Sequence, residues 1–162
     1  MARKVFFSFH YDKDSWRVGQ VRNAWLIGDH EAQPFLDKAR WEEVEAKGET
    51  AVQSWIDNAM LGTSVTVVLI GAETAGRKWV KYEIRKSHTD DKGMIGVYIH
   101  NLKNQHQQTD SKGSNPFDNF SIEQGGQKTS LSSIYPTYDW VNDNGRLYLP
   151  DWVEKAAKAA GR

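Results

Sequence analysis

The chain has 162 residues, no cysteine, and equal numbers of basic and acidic side chains, 21 of each. That balance argues against a general phosphate-backbone binder, whose affinity rests on a surplus of Lys and Arg. The missing cysteine removes disulfide and thiolate chemistry. The length fits one domain, residues 1–162, with room for a core. The apolar run in MARKVFFSFH is too short for a signal peptide, and no run approaches the ~20 apolar residues of a membrane span. The expectation is a soluble cytoplasmic protein.

KVFFSF (4–9) reads as a short buried strand, ended by the polar HYDKDS. Asp14 or Ser15 stands where a helix cap belongs, and Val18, Val21, Trp25 and Leu26 recur at helical spacing up to Gly28 and Asp29. AQPFLD (32–37) is a weak second strand, kept at an edge or strand start by Pro34. KARWEEVEAKGE reads as a solvated loop or helix face. A helix from Thr50 to Leu61 presents Val52, Trp55, Ile56 and Ala59 on one side, with Gly62 at its stop. SVTVVLIG (64–71) is a continuous β-branched run, the pattern of a central parallel strand covered on both faces. A loop, GAETAGRK, leads to a helix, WVKYEIRKSH, and then to a buried strand, MIGVYIH (94–100). Alternation of strand and helix predicts a parallel α/β sheet with right-handed crossovers. Residues 101–130 break the rhythm: they are polar and Gln-rich, and read as a long loop with no assigned elements. SSIYPTYDWV returns as a last short strand, and LPDWVEKAAKAA forms a terminal helix with Asp151 near its start.

The five histidines show neither HxH nor HExxH spacing, so no metal is expected. A Walker loop, a GxGxxG turn and a GxSxG elbow are also missing from the sequence. What remains is position. Ligands of open parallel sheets bind beyond the carboxyl ends of the strands. Those ends carry Ser8, Phe9 and His10, then Asp37, then residues 71–74, then His100 and Asn101. Helices starting there direct backbone N–H groups at the same edge, which suits a phosphate. Glu83 stands on the first turns of such a helix, at i+4 from Trp79 and therefore on its face. A carboxylate in a partly dry cleft can orient sugar hydroxyls and stabilise an oxocarbenium-like ribose. Its bland alternative is a surface pairing with Lys86 or Ser87. A flavin-binding or phosphoacceptor domain would lean on Asp12 and Asp14 alone.

The stretches KVFFSFHY, TSVTVVLIG, WVKYEI, GVYIHN, SKGSNPFD and LSSIYPTYDWV, in this order, resemble the TIR-like sensor proteins of Thoeris anti-phage defence, the ThsB family within the TIR superfamily. The resemblance implies one flavodoxin-like, TIR-type three-layer α/β domain with a mostly parallel central sheet. In catalytic TIR domains a Trp stands four positions before the glutamate needed to cleave NAD. Trp79 and Glu83 match that pair, so the resemblance implies that Glu83 is catalytic. It further implies that Phe7 or Phe9 stacks on a base or on nicotinamide. Ser8, His10 and Tyr11 would contact ribose or phosphate, with Trp79 beside them, and Asn115 of SNPFD would help to position the substrate. The implied activity is cleavage of the nicotinamide–ribose bond of NAD+, a substrate here and not a cofactor, to give an ADP-ribose-derived signal, often cyclic. The implied partners are a phage-derived activator, an effector switched on by the product, and further copies of the chain, with no membrane and no nucleic acid. The segment after NPFD is short for the family. Which nucleophile captures the ribose is not set by the motif. A non-catalytic nucleotide- or partner-binding module is the alternative.

Overall fold

The computed structural model describes residues 3–36 and 38–162. Asp37, placed above at the ligand edge, lies outside them. In chain order the elements are β1 (Lys4–Ser8), α1 (Ser15–Ile27), β2 (Glu31–Ala32), α2 (Lys38–Ala46), α3 (Glu49–Met60), β3 (Val65–Ile70), α4 (Lys78–Thr89), β4 (Gly93–Tyr98), β5 (Ser121–Gln124), β6 (Gln127–Ser130), β7 (Thr137–Asp139) and α5 (Gly145–Ala159). Single 3-10 turns lie at Thr74–Gly76, Pro116–Asn119 and Leu131–Ser133.

Five strands pair in the order β2-β1-β3-β4-β7, and every pairing is parallel. This is the doubly wound, flavodoxin-like arrangement, with the chain reversing direction across the sheet beside β1 and β3. All six residues of β3 are buried, as a central strand covered on both faces requires. Its side chains divide by alternation. Val65, Val67 and Leu69 join a large core with Val18, Val21 and Trp25 of α1 and Leu149, Val153 and Ala157 of α5. Val68 and Ile70 join a smaller core with Val80 and Ile84 of α4, Phe117 and Leu131.

The second strand is shorter than the sequence suggests. β2 ends at Ala32, and the side chain of Gln33 takes over the ladder: its Oε1 accepts from the Phe7 amide at 2.9 Å and its Nε2 donates to the Phe7 carbonyl at 2.8 Å. Pro34, with no N–H, does not extend the strand. The charged run after it is a helix, α2, and it is not wholly solvated, because Trp41 is buried. The terminal helix begins at Gly145, six residues before Asp151, with Pro150 inside it. Gly145 lies under the ring of Trp140, where a Cβ would stand 2.2 Å from Cε3, so this start needs a residue without a side chain.

The polar segment between β4 and β7 holds structure that its composition hides. β5 and β6 form a small antiparallel hairpin turned by Gly125 and Gly126, both at positive φ. Phe117, fully buried, pins the segment to the sheet above Gly96, where a Cβ would lie 3.3 Å from its ring. Residues 101–113 are fastened to α1: Arg17 donates to the carbonyls of Leu102 (2.8 Å) and Gln108 (2.9 Å), and Gln20 donates to that of Lys103 (2.7 Å).

Candidate active site

β1 is buried along most of its length and ends at Ser8, so the following turn, 9–14, leaves the sheet at its carboxyl edge. That turn is closed by Asp14 N–H donating to the His10 carbonyl at 3.0 Å. Across β3, the helix α4 begins at the same edge and packs Val80 and Ile84 inward. Glu83, between them in sequence, is fully buried.

Ser8 Oγ donates to Glu83 Oε1 at 2.6 Å, and Tyr11 Oη donates to Oε2 at 3.1 Å. The surface alternative is excluded by this geometry. Lys86 pairs with Asp90 at 3.1 Å instead, and Ser87 Oγ donates to the main-chain carbonyl of Glu83, fixing the helix and not the carboxylate. Burial pushes the Glu83 carboxyl up to about 8, against the downward pull of the two hydroxyl donors. Near neutral pH the carboxyl therefore holds a proton. Ser8 can accept as well as donate, so one arrangement of atoms serves both protonation states. Tyr11 is driven well above its ordinary value, first by burial and then by the charge of Glu83.

Beside this trio lies a cleft of about 440 Å³, within the size range of small-molecule sites. Its aromatic lining residues are Phe9, Tyr11, Trp41 and Trp79. Tyr11 stacks on Trp41 with centroids 4.2 Å apart and planes 12° from parallel, and Phe9 leans on Tyr11 at 4.2 Å. Charged residues line it as well, and the Lys78 ammonium lies 5.0 Å from the centre of the Trp79 ring. Arg77 and Lys78 stand at the start of α4, paired with Asp12 (3.4 Å) and Glu49. His10 also lines the cleft. Its Nδ1 accepts from the Lys13 amide at 3.3 Å, and burial, then Arg77, lowers its pKa, so the neutral ring carries its proton on Nε2.

The site residues named from the sequence therefore separate into groups. Ser8, Tyr11 and Glu83 form one hydrogen-bonded unit. Phe9, His10, Tyr11 and Trp79 line the cleft, but Glu83 and Ser8 do not. Phe7 is buried in the large core and is likewise off the cleft wall. Asn115 caps a turn, its Oδ1 accepting from the Phe117 amide at 2.9 Å, and it too is off the cleft wall. Among the described residues no group of His, Cys, Asp or Glu could hold a metal ion. No described helix is long and apolar enough to cross a membrane.

Trp41 was missed. Its signal was present: it and Val44 are the apolar residues of a charged helix, spaced i, i+3, and both meet the core. A buried network behind the turn was missed too. Asp14 is almost fully buried, with Arg17 Nη1 3.6 Å away, and burial raises its carboxyl to about 6. A larger cavity, about 710 Å³, lies by the amino end of β4 among Gly93, Tyr138 and Trp152, at the opposite edge from Glu83.

A parallel sheet of flavodoxin order with a buried helix-borne glutamate beside an aromatic cleft defines a TIR-like α/β domain. A family model described as "Thoeris protein ThsB, TIR-like domain" matches residues 6–104, and the chain belongs to that family. It is 34% identical to a protein of Bacillus cereus (strain MSX-D12) named "Putative cyclic ADP-D-ribose synthase ThsB1", in an alignment covering 94% of this chain and the whole of that protein.

Proposed function

We propose that this Thoeris-family protein cleaves the nicotinamide–ribose bond of NAD+ and releases an ADP-ribose-derived signal, in a cyclic form, that switches on a partner effector. The carrying observation is the buried Glu83, held by two hydroxyls at the carboxyl edge of the sheet beside the aromatic cleft. The name of the Bacillus cereus relative supports the cyclic product.

In this reading the cleft takes a ring against its aromatic residues and the diphosphate near Arg77, Lys78 and the first amides of α4. The nicotinamide ring carries a fixed positive charge. Placed near Glu83, that charge favours the ionised carboxyl and lowers its pKa. The carboxylate forms where it is needed, against ribose hydroxyls and the charge that develops on the ring. The C1′–N bond breaks with its electron pair going to the nicotinamide nitrogen, and the oxocarbenium carbon is captured by a nucleophile. Capture by a ribose hydroxyl closes a cycle with loss of the hydroxyl proton, whereas capture by an adenine ring nitrogen moves the positive charge onto the adenine, which can then release a proton from its exocyclic amine. Capture by water gives ADP-ribose and a proton. NAD+ is the substrate, and no resident cofactor enters the scheme. A phage-derived component activates the protein, and copies of it associate.

A second reading, a TIR-like module that binds a nucleotide or partner without chemistry, draws on one observation: Glu83 does not line the cleft. Mass spectrometry of nucleotides from infected cells separates the two. Cells with the wild type lose NAD+ and gain an ADP-ribose-derived product, whereas Glu83→Gln lowers turnover by roughly 100-fold or more. Equal NAD+ loss in both would remove Glu83 from catalysis, and intact NAD+ in activated wild type would favour the binding module.

A further inference from the structure

Glu83 is wholly buried, and Tyr11 touches both it and the cleft: its hydroxyl meets Oε2, and the residue is part of the cleft lining. We infer that Tyr11 is a removable cover over Glu83, and that Trp41 is the platform onto which a ring of the substrate moves when Tyr11 leaves. The inference rests on the proposed cleavage of NAD+.

Three observations carry it. Tyr11 lies nearly parallel on Trp41, a stacked contact that a flat nicotinamide or adenine ring can reproduce. Exchange of one ring for another on Trp41 keeps the stacking contact, so uncovering Glu83 forfeits little of it. The backbone at Tyr11 is fastened, since its carbonyl accepts from Ser15 Oγ at 2.7 Å and the flanking His10 carbonyl and Nδ1 accept from Asp14 and Lys13. Opening is therefore a side-chain rotation, not a refolding of the turn. Finally, the turn is tied to two other loops of the same edge: Lys13 reaches Glu73 at 2.6 Å and Asp110 at 3.1 Å.

Trp41 would then be a substrate-positioning residue of the site, and Tyr11 the group that keeps the carboxyl from the cleft until a ring replaces it. Labelling the carboxyls of the purified full chain with a carbodiimide and an amine, read residue by residue by mass spectrometry, tests the cover without requiring turnover. The expected result is slow labelling of Glu83 in the wild type against the exposed Glu49. Tyr11→Ala should label Glu83 roughly tenfold faster or more. Tyr11→Phe keeps the ring and should stay near the wild type. Wild-type Glu83 reacting as fast as Glu49, Tyr11→Ala reacting as slowly as the wild type, or Tyr11→Phe reacting as fast as Tyr11→Ala would each overturn the cover. For the platform, Trp41→Ala in the activated protein should raise KM for NAD+ roughly 3- to 10-fold, the size of one stacking contact, with kcat less affected and Trp41→Phe restoring part of it. An unchanged KM overturns that role. Protection of Glu83 without any NAD+ cleavage by activated wild type would remove the proposed function while leaving the cover in place.

Discussion

Ser8 Oγ donates to Glu83 Oε1 at 2.6 Å, joining the last residue of β1 to the second turn of α4 across 75 positions of sequence. The contact crosses β3, and it sets where the carboxyl points. Removing it tests how much of the site is geometry. Ser8→Ala leaves one buried oxygen of Glu83 without a partner and should cost about 1–3 kcal/mol in denaturant unfolding. Because the serine lowers the Glu83 pKa, the variant should also shift that carboxyl further upward, readable by carbon-13 NMR of the glutamate carboxyls.

The elevated Glu83 makes a stability prediction with a definite sign. The folded carboxyl titrates at about 8 and the unfolded one at the ordinary 4.5, so between these values the folded chain binds more protons. Its contribution is then fully favourable at and below pH 4.5 and is lost as pH rises toward 8, at up to ~1.4 kcal/mol per pH unit. Asp14, raised to about 6, adds a slope of the same sign at lower pH. Subtracting the Glu83→Gln curve isolates the first group. Urea unfolding from pH 5 to 8 should show the wild type losing stability relative to Glu83→Gln, and parallel curves would refute the raised value.

Gly113 is a steric prediction. A Cβ there would stand 2.1 Å from the Gly71 carbonyl oxygen, a backbone atom that cannot swing aside. Gly113→Ala should cost roughly 1–3 kcal/mol and lift residues 101–113 from the loop after β3. Hydrogen exchange should quicken at the amide of Asp110, which now donates to the His100 carbonyl at 2.8 Å, while β3 keeps its protection.

Lys92 supplies a control away from the cleft. Its buried ammonium donates to Met60 O at 2.9 Å, Thr63 O at 2.8 Å and Thr63 Oγ1 at 2.9 Å, closing the carboxyl end of α3. Lys92→Met should destabilise the chain by about 2–3 kcal/mol in chemical denaturation. The proposed turnover of NAD+ by the activated protein should stay at the wild-type level below the melting temperature.

The parts of the fold that announce themselves in sequence are those whose burial is nearly complete. β3 and the apolar faces of α1 and α3 repeat a simple period, so Val65 to Ile70, Val18, Val21, Val52 and Ile56 are readable one by one. In α2 the two large apolar residues, Trp41 and Val44, stand among charges, so the i, i+3 pair is a weak signal. The β5–β6 hairpin is mostly exposed, so nothing apolar marks it beyond Ile122. Glu83 was legible as a candidate through its spacing from Trp79. The partners of its carboxyl were not, because contacts across 75 and 72 residues are a product of sheet order and register. Position alone put Ser8 and Tyr11 at the same edge, and only the pairing of β1 with β3 brings them under α4.

Gln33 closes the sheet where β2 stops. One amide side chain does for Phe7 what another strand residue would do, satisfying an N–H and a C=O at the margin of the sheet. Both groups are buried, so leucine at this position would leave an amide and a carbonyl sealed in the core with nothing to bond, one residue from Ser8. The expected phenotype of Gln33→Leu is a loss of roughly 2–5 kcal/mol in urea unfolding, from two orphaned polar groups at about 1–3 kcal/mol each.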